Sequence, residues 1–309
     1  FGLVCGAHRC ERLALYTLHP AADGNRGCGV ASSATGNTGG ELTQDWFRVT
    51  AFAPGVICIE EPLHEERVKS YLIVGDERAV LLDTGMGVGD LKALVRSLTD
   101  RPLTVVQSHA HFDHIGGAHQ FAGDCEILIH PEQADDLRRG VAPARIRRGF
   151  APEHLSGPLP AGRTVESMTI PGVEPTGFLT GGETLDLGGR TLETIDAPGH
   201  CRGLLALLDR DAGALWSTDA VYAGPLYAQM DDSNLVAYQE TMDALAALAP
   251  ALRAVYPAHG PTPIEPALLR PMRDAIADVA AGRRPDSTEG GVGRHEFDGF
   301  AVLVRDEAR

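Results

Sequence analysis

Apolar and polar positions alternate in short runs from residue 46 onward, the pattern of half-buried strands. A helix is predicted where Leu91, Leu94, Val95 and Leu98 recur at i, i+3, i+4, i+7 spacing. Residues 103–108 form a continuous apolar run, typical of a strand buried on both faces. The predicted strands are 47–53, 56–60, 68–75, 78–83, 103–108, 125–130, 184–187, 191–196, 204–208, 214–217, 253–256 and 300–304. Further helices are predicted from residue 131, at about 234–249 and at about 265–281.

The order of these elements indicates the α/β class. Some strands follow one another as hairpins and others alternate with helices, so we expect two mixed β-sheets packed together with helices outside, an αββα sandwich. Residues 44–309 would form this catalytic domain. The stretch 138–182 has many Gly and Pro residues and weak periodicity, and we interpret it as a cap over the site. The run 300–304 is predicted to be an edge strand.

Residues 1–43 differ from the rest in composition. They are rich in Gly, Ala, Ser, Thr and Asn, and they contain three cysteines and two histidines. A small metal-binding knuckle is one interpretation, but the segment has no CxxC pair. We therefore predict a flexible N-terminal extension.

Charge and composition narrow the classes of function. The chain has 27 Lys and Arg against 42 Asp and Glu, a formal net charge of -15, so its surface should repel nucleic acid and anionic lipid. It has no apolar run of membrane-spanning length. The spacing of its six cysteines suggests no disulfide framework. We expect a small-molecule substrate, no nucleic-acid or membrane partner and a cytoplasmic location. The oligomeric state stays open, with a homodimer as one option.

Four candidate metal ligands occur within six residues, directly after the buried strand 103–108. They are His109, His111, Asp113 and His114 in the run His-Ala-His-Phe-Asp-His. A loop at a strand end lets neighbouring side chains converge on one point. Imidazole and carboxylate suit Zn, Fe and other borderline metals, so this run predicts a metal site.

The pattern His-x-His-x-Asp-His resembles the signature of the metallo-β-lactamase superfamily. Further motifs of that family have counterparts downstream in this chain. They are the Asp-Thr-Gly turn at Asp83, the Pro-Gly-His element at His200, the Ser-Thr-Asp strand end at Asp219 and the Pro-Ala-His-Gly element at His259. The resemblance covers roughly residues 46 to 270.

The resemblance implies a site with two divalent metal ions, with zinc expected and iron or manganese as alternatives. One ion would be held by His109, His111 and His200, the other by Asp113, His114 and His259, and Asp219 would bridge them together with a hydroxide. Asp83 would orient a ligand histidine through its ring N–H. Such a site activates the bridging hydroxide at neutral pH and polarises the bond under attack.

The residue at the bridging position narrows the choice among branches of the family. An Asp at this position, here Asp219, resembles glyoxalase II-like thioesterases, lactonases and phosphodiesterases, whereas β-lactamases proper usually carry Cys or Ser there. Tyr222 follows three residues later, as in lactonases and the thioesterase-like branch, where a phenol can donate to an oxyanion. A core aromatic is an equal interpretation. Asp113 and Tyr222 are the candidate catalytic residues.

Cys201 is interpreted as a small buried thiol, with a redox-sensitive thiol beside the metal as the alternative.

Five arginines stand in the predicted cap of this acidic chain: Arg138, Arg139, Arg145, Arg147 and Arg148. They would attract a substrate carboxylate or phosphate, or simply form a solvated helix face, which is the commoner case.

The leading hypothesis is a dinuclear metal-dependent hydrolase that cleaves a thioester, ester or lactone. A phosphodiesterase is the alternative within hydrolases, because the same two-metal site suits phosphoryl displacement. An iron-dependent redox enzyme of the same fold and a non-catalytic metal-binding module are the remaining alternatives.

Overall fold

The structure, a computed structural model, describes residues 41–44 and 46–305. Most of the predicted extension 1–43 therefore lies outside the described residues. Its last three residues form part of the strand Glu41–Gln44, β1, which pairs antiparallel with β2 (Phe47–Ala53). Sequence periodicity missed this strand because four residues are too few to show a pattern.

The first half of the chain forms an eight-stranded mixed sheet in the order β1 to β8. Its other strands are β3 (Val56–Glu60), β4 (Lys69–Val74), β5 (Ala79–Leu82), β6 (Leu103–Gln107), β7 (Glu126–Ile129) and β8 (Gly177–Phe178). Neighbours are antiparallel from β1 to β5 and parallel from β5 to β8.

Helices cover the outer face of this sheet. They are α1 (Leu91–Leu98), α2 (Phe112–Ile115), α3 (Ala134–Arg139) and α4 (Pro143–Gly149). The side chain of Asp90 caps α1, whose residues Leu91, Leu94 and Val95 are buried as the periodicity predicts. Leu72 and Val105 from the sheet join them in one hydrophobic cluster. Short 3₁₀ helices lie at Ala118–Gln120, Pro131–Gln133, Pro152–His154, Val165–Ser167, Ala249–Ala251 and Pro266–Leu268.

The second half of the chain adds nine strands and two helices in the described residues. They are β9 (Thr184–Asp186), β10 (Thr191–Asp196), β11 (Leu205–Asp209), β12 (Ala214–Thr218), β13 (Pro225–Ala228), α5 (Leu235–Leu248), β14 (Ala254–Pro257), α6 (Leu269–Ala280), β15 (Ser287–Glu289), β16 (Val292–Phe297) and β17 (Phe300–Arg305). They form a five-stranded sheet in the order β14-β12-β11-β10-β9 and a four-stranded sheet in the order β13-β17-β16-β15.

Two sheets face each other across the middle of the molecule. Alternate residues of β4, Tyr71 and Ile73, share a buried cluster with Leu207 and Trp216 of the five-stranded sheet. Helices α5 and α6 cover the other face of that sheet. The predicted αββα arrangement of mixed sheets flanked by helices is therefore confirmed. No helix in the described ranges is long and apolar enough to cross a membrane.

Two predictions about elements were incomplete or wrong. The second half forms two separate sheets, because β13 pairs with β17 and not with the five-stranded sheet. The run 300–304 is not an edge strand: β17 lies between β13 and β16 and is paired on both sides. The predicted cap, 138–182, contains α4 and also β8, the last strand of the first sheet.

Candidate metal centre

The histidine-rich loop begins where β6 ends. Residues 108–111 connect β6 to α2, and Phe112, at the start of α2, is buried in the core beneath the loop. This anchor turns Asp113 and His114 to the same side as His109 and His111. His109, Asp113 and His114 are buried, and His111 is half-buried.

The other three candidate ligands follow strands of the five-stranded sheet. His200 comes after β10, Asp219 follows β12 at once, and His259 comes after β14. These three strands run in one direction, so their carboxyl ends meet at one edge of the sheet. Gly199 sets the turn before His200: at φ 146°, an added Cβ would lie 2.4 Å from the Cβ of Tyr238.

Asp219 lies at the centre of the cluster. Its Oδ1 is 3.2 Å from Nε2 of His114. Its Oδ2 is 3.5 Å from Nε2 of His200, 3.4 Å from Nε2 of His259 and 3.9 Å from Nε2 of His109. One carboxylate therefore faces four imidazoles.

Asp113 and His111 complete two groups on either side of Asp219. Oδ2 of Asp113 is 3.6 Å from Nε2 of His114 and 3.5 Å from Nε2 of His259. Nδ1 of His111 is 3.0 Å from Nε2 of His200. Candidate ligand atoms lie within 4.8 Å of one another in three groups: His109, His111, His200 and Cys201; His109, His114 and Asp219; Asp113, His114 and His259. The structure thus brings all seven sequence-predicted ligands together.

A second layer of hydrogen bonds orients four of the imidazoles. Asp83 accepts from Nδ1 of His114 at 2.8 Å, which confirms the predicted contact. Ser108 Oγ lies 2.9 Å from Nδ1 of His109. The carbonyl oxygens of Tyr227 and Glu66 accept from Nδ1 of His200, at 3.0 Å, and of His259, at 2.8 Å. These contacts leave each Nε2 pointing at the centre, which is how proteins hold metal-binding histidines.

Two non-glycine residues take left-handed backbone conformations beside the cluster. Asp83 has φ 63° and Thr218, directly before Asp219, has φ 49°. For a β-branched residue such as Thr218 this conformation is strained, typically by about 1–3 kcal/mol. The surrounding packing holds it there, and the strain places the carboxylate of Asp219 at the end of β12.

The buried carboxylates and imidazoles of the cluster shift one another's pKa values. Burial alone would lower the pKa of His114 and His259, but the carboxylates of Asp219 and Asp113 outweigh it. They raise the pKa of His114 well above its usual value and that of His259 to about 9. Burial would likewise raise the pKa of Asp219, but these two imidazoles hold it well below its usual range.

The donor set fits metal ions. Nε2 of His109, Nε2 of His114 and Oδ1 of Asp219 are buried and make no hydrogen bond within the described part of the chain. Such atoms are costly unless something else satisfies them, and a cation at the centre would satisfy all three. Imidazole nitrogens and carboxylate oxygens are ligands that zinc, iron and manganese accept.

A cavity of about 350 Å³ opens beside His259. Glu65, Glu66, Tyr222 and Tyr227 contribute to its lining. Burial, followed by the nearby carboxylate of Asp113, raises the pKa of Glu66 to about 7.

Tyr222 lies at this cavity with its ring 5.4 Å from that of His259, but its hydroxyl donates to the carbonyl oxygen of Pro225. It would have to leave that carbonyl to donate to a substrate. Tyr227 is half-buried, and its hydroxyl has no hydrogen-bond partner in the described ranges.

The five arginines of the predicted cap divide into two kinds. Arg138 pairs with Asp135 and Glu174, and Arg139 pairs with Asp136, as in a solvated helix face. Arg145, Arg147 and Arg148 lie on α4 without a carboxylate within 4.0 Å among the described residues.

Cys201 is fully buried next to the cluster. Its sulfur lies within 4.8 Å of ring nitrogens of His109, His111 and His200. Burial raises the pKa of its thiol well above the usual value. This matches the interpretation of a small buried thiol.

Sequence reasoning missed Ser108 and the carbonyls of Glu66 and Tyr227. The position of Ser108 between a buried strand and His109 was an available signal. The sequence holds no signal for the two carbonyls, because every residue has a backbone oxygen whatever its side chain.

A family model described as the metallo-beta-lactamase superfamily matches residues 65–263. The chain belongs to the metallo-β-lactamase superfamily. An acyl-coenzyme A thioesterase, MBLAC2 of Homo sapiens, is 32% identical over 218 residues, which are 66% of this chain and 77% of that protein. A metallo-β-lactamase from Erythrobacter litoralis superposes with a TM-score of 0.55 at 18% identity, covering 77% of this chain and 100% of that one. TTHA1623, solved in a di-iron-bound form, superposes with a TM-score of 0.52 at 25% identity, covering 67% and 93%. The chain is a hydrolase of this superfamily.

Proposed function

We propose that this protein is a dinuclear metal-dependent thioesterase acting on a small acyl thioester. The observation that carries the proposal is the convergence of His109, His111, Asp113, His114, His200, Asp219 and His259 around buried atoms without hydrogen-bond partners. The relative named as an acyl-coenzyme A thioesterase supports thioesters over other acyl substrates.

Zinc is the proposed metal, with iron or manganese as alternatives that the same donors accept. His109, His111 and His200 would hold one ion, Asp113, His114 and His259 the other, and Asp219 would contact both. Two such cations lower the pKa of water between them and polarise the carbonyl under attack.

The chain's own residues supply the rest of the chemistry. The contacts from Asp83, Ser108, Tyr227 and Glu66 fix the histidine rings before substrate arrives, so no reorganisation is needed during the reaction. The cavity beside His259 would receive the acyl group. Tyr222 is the proposed donor to the carbonyl oxygen, provided that its hydroxyl leaves the carbonyl of Pro225.

The test is to measure metal content and hydrolysis together on the purified full chain. We expect two metal ions per chain and turnover of an acyl thioester, with slower or no turnover of a lactone and of a bis-aryl phosphodiester. A preference for the phosphodiester would overturn the acyl assignment. A single iron with no hydrolysis of any substrate would favour redox chemistry instead.

A further inference from the structure

Two charged features, one at the cavity and one at the histidine-rich loop, have opposite sign. Glu65 and Glu66 line the cavity beside His259. On α4, the guanidinium of Arg145 lies over the ring of Phe112, with its central carbon 4.6 Å from the ring centroid. Phe112 stands between His111 and Asp113 in the sequence, so the guanidinium contacts a residue of the histidine-rich run.

Helix α4 is held firmly in this place. Gly149, one turn after Arg145, packs on the same aromatic ring, where an added Cβ would lie 3.0 Å from a carbon of Phe112. The carbonyl of Gly149 is 2.8 Å from Nε2 of the buried His64, and Ile146 is buried beneath the helix. The position of the guanidinium is therefore set before any ligand binds.

Arg145 is exposed, and no carboxylate of the described residues lies within 4.0 Å of it. Arg148 follows at i+3 on the same face and shares both properties. Arg147 is exposed too, but at i+2 from Arg145 it lies off the helix face that Arg145 and Arg148 share.

A chain of net charge -15 repels anions over most of its surface, so an anionic ligand needs a local positive face beside the site. We propose that Arg145, with Arg148, binds the phosphates of a nucleotide-bearing thiol carrier, while the acyl group enters the cavity lined by Glu65, Glu66 and Tyr227. This inference rests on the proposed thioesterase function and names its leaving group.

The charges decide the orientation of the substrate. A polyphosphate carrier in the cavity would meet two carboxylates, whereas over α4 it meets two exposed cations. A single exposed ion pair contributes little, so a pair of arginines at i, i+3 suits a ligand with several phosphate charges better than one with a single carboxylate.

The experiment compares one acyl group on three carriers: coenzyme A, glutathione and the neutral N-acetylcysteamine. Arg145→Gln keeps the stem over Phe112 and removes the charge, and Arg147→Gln on the same helix is the matched control. We expect Arg145→Gln to raise KM for the coenzyme A thioester roughly three- to tenfold with little change in kcat. KM for the neutral thioester should stay unchanged, and Arg147→Gln should leave all three substrates unchanged.

The dependence of KM on ionic strength provides a second measurement. For the wild-type protein, KM for the coenzyme A thioester should rise when ionic strength increases from about 0.05 to about 0.5 M, because salt screens exposed charges. The rise should be smaller in Arg145→Gln. Equal effects of Arg145→Gln on the coenzyme A and N-acetylcysteamine thioesters, or no effect on either, would overturn the inference. An effect confined to the glutathione thioester would overturn its nucleotide part.

Failure of the thioesterase proposal is distinguishable from failure of this one. If the wild-type protein cleaves none of the three thioesters, the proposed function is wrong. The phosphate-binding role of Arg145 is then tested by direct titration with adenosine 3′,5′-bisphosphate. Weaker binding to Arg145→Gln than to the wild-type protein and to Arg147→Gln supports the inference. Equal affinity of the three proteins overturns it.

Discussion

The carboxylate of Asp83 accepts a hydrogen bond from Nδ1 of His114 at 2.8 Å, across 31 residues of chain. The same carboxylate accepts from the backbone N–H of Ser108 at 2.7 Å and from its hydroxyl at 2.8 Å. Since Ser108 also contacts His109, one buried carboxylate positions two candidate ligands through three donors. The rigidity of the metal centre thus depends on a residue that touches no metal position.

Replacement of this carboxylate should weaken metal binding without abolishing the fold. In Asp83→Asn the amide NH₂ would face N–H and O–H donors, so at least one hydrogen bond is lost. We expect metal affinity to fall about 10- to 100-fold, measured by competition with a chromophoric chelator. Asp76→Asn, at an exposed position in the preceding turn, is the control and should bind metal as wild type. Unchanged affinity in Asp83→Asn would show that Asp83 is not needed to orient His114.

Loss of a candidate ligand should remove both metal and activity. His111→Ala opens the first metal group and leaves His200 without its neighbour at 3.0 Å. We expect fewer than two ions per chain by elemental analysis and no detectable thioester hydrolysis. His119→Ala is the matched control, because that histidine lies near the carbonyl of Gly116, 3.1 Å away, and belongs to no candidate metal group of the described residues. Two retained ions with full turnover in His111→Ala would refute the ligand assignment.

Tyr222 and Tyr227 offer two phenols at one cavity. If Tyr222 donates to the carbonyl oxygen of the substrate, Tyr222→Phe should lower kcat at least about tenfold while metal content and circular dichroism stay unchanged. The loss should be smaller than the 10²–10³ typical of a sole oxyanion donor, because the metal ions share that role. Tyr227→Phe should change kcat less. A larger loss in Tyr227→Phe would transfer the donor role to the phenol whose hydroxyl has no partner in the described ranges.

The protein stripped of metal should lose stability as pH rises above neutrality. The pKa of His259 is raised from 6.5 to about 9, so the stabilisation from His259 is complete below pH 6.5 and lost through about pH 9. The pKa of His114 is raised as well, so its contribution has the same sign and is also lost as pH rises. The pKa values of Asp113 and Asp219 are lowered, so their stabilisation is present above about pH 4 and lost only in acid.

We therefore expect the Tm of chelator-treated protein to fall by about 5–10 °C between pH 6.5 and 9. Metal-reconstituted protein should not show this fall, because metal binding favours deprotonated ligands. Chelator-treated Asp219→Asn should have a flatter profile, since it lacks the carboxylate that raises both histidine pKa values. A Tm that is constant or rises over this range in the stripped wild-type protein would contradict the assignment of charges.

The local pattern of apolar residues predicted the elements in which that pattern extends over several positions. Helix α1 and the strands β2 and β3 match their predicted bounds because their apolar residues repeat over five or more positions. Strands β13, β15 and β16 escaped prediction because they are short or alternate weakly. Strand β13 also has its partner, β17, far away in the chain. The predicted edge position of 300–304 failed for the same reason, since pairing between distant strands leaves no local pattern.

The amino-acid sequence alone determined the identity of the seven candidate ligands and the family, because the motif residues are local and chemically specific. Only the tertiary structure decided what surrounds them. It brought the carbonyls of Glu66 and Tyr227 to His259 and His200, and it separated Arg145 from the ion-paired Arg138. These contacts depend on the packing of segments distant in sequence, because that packing decides which groups lie next to a backbone oxygen or a charged side chain.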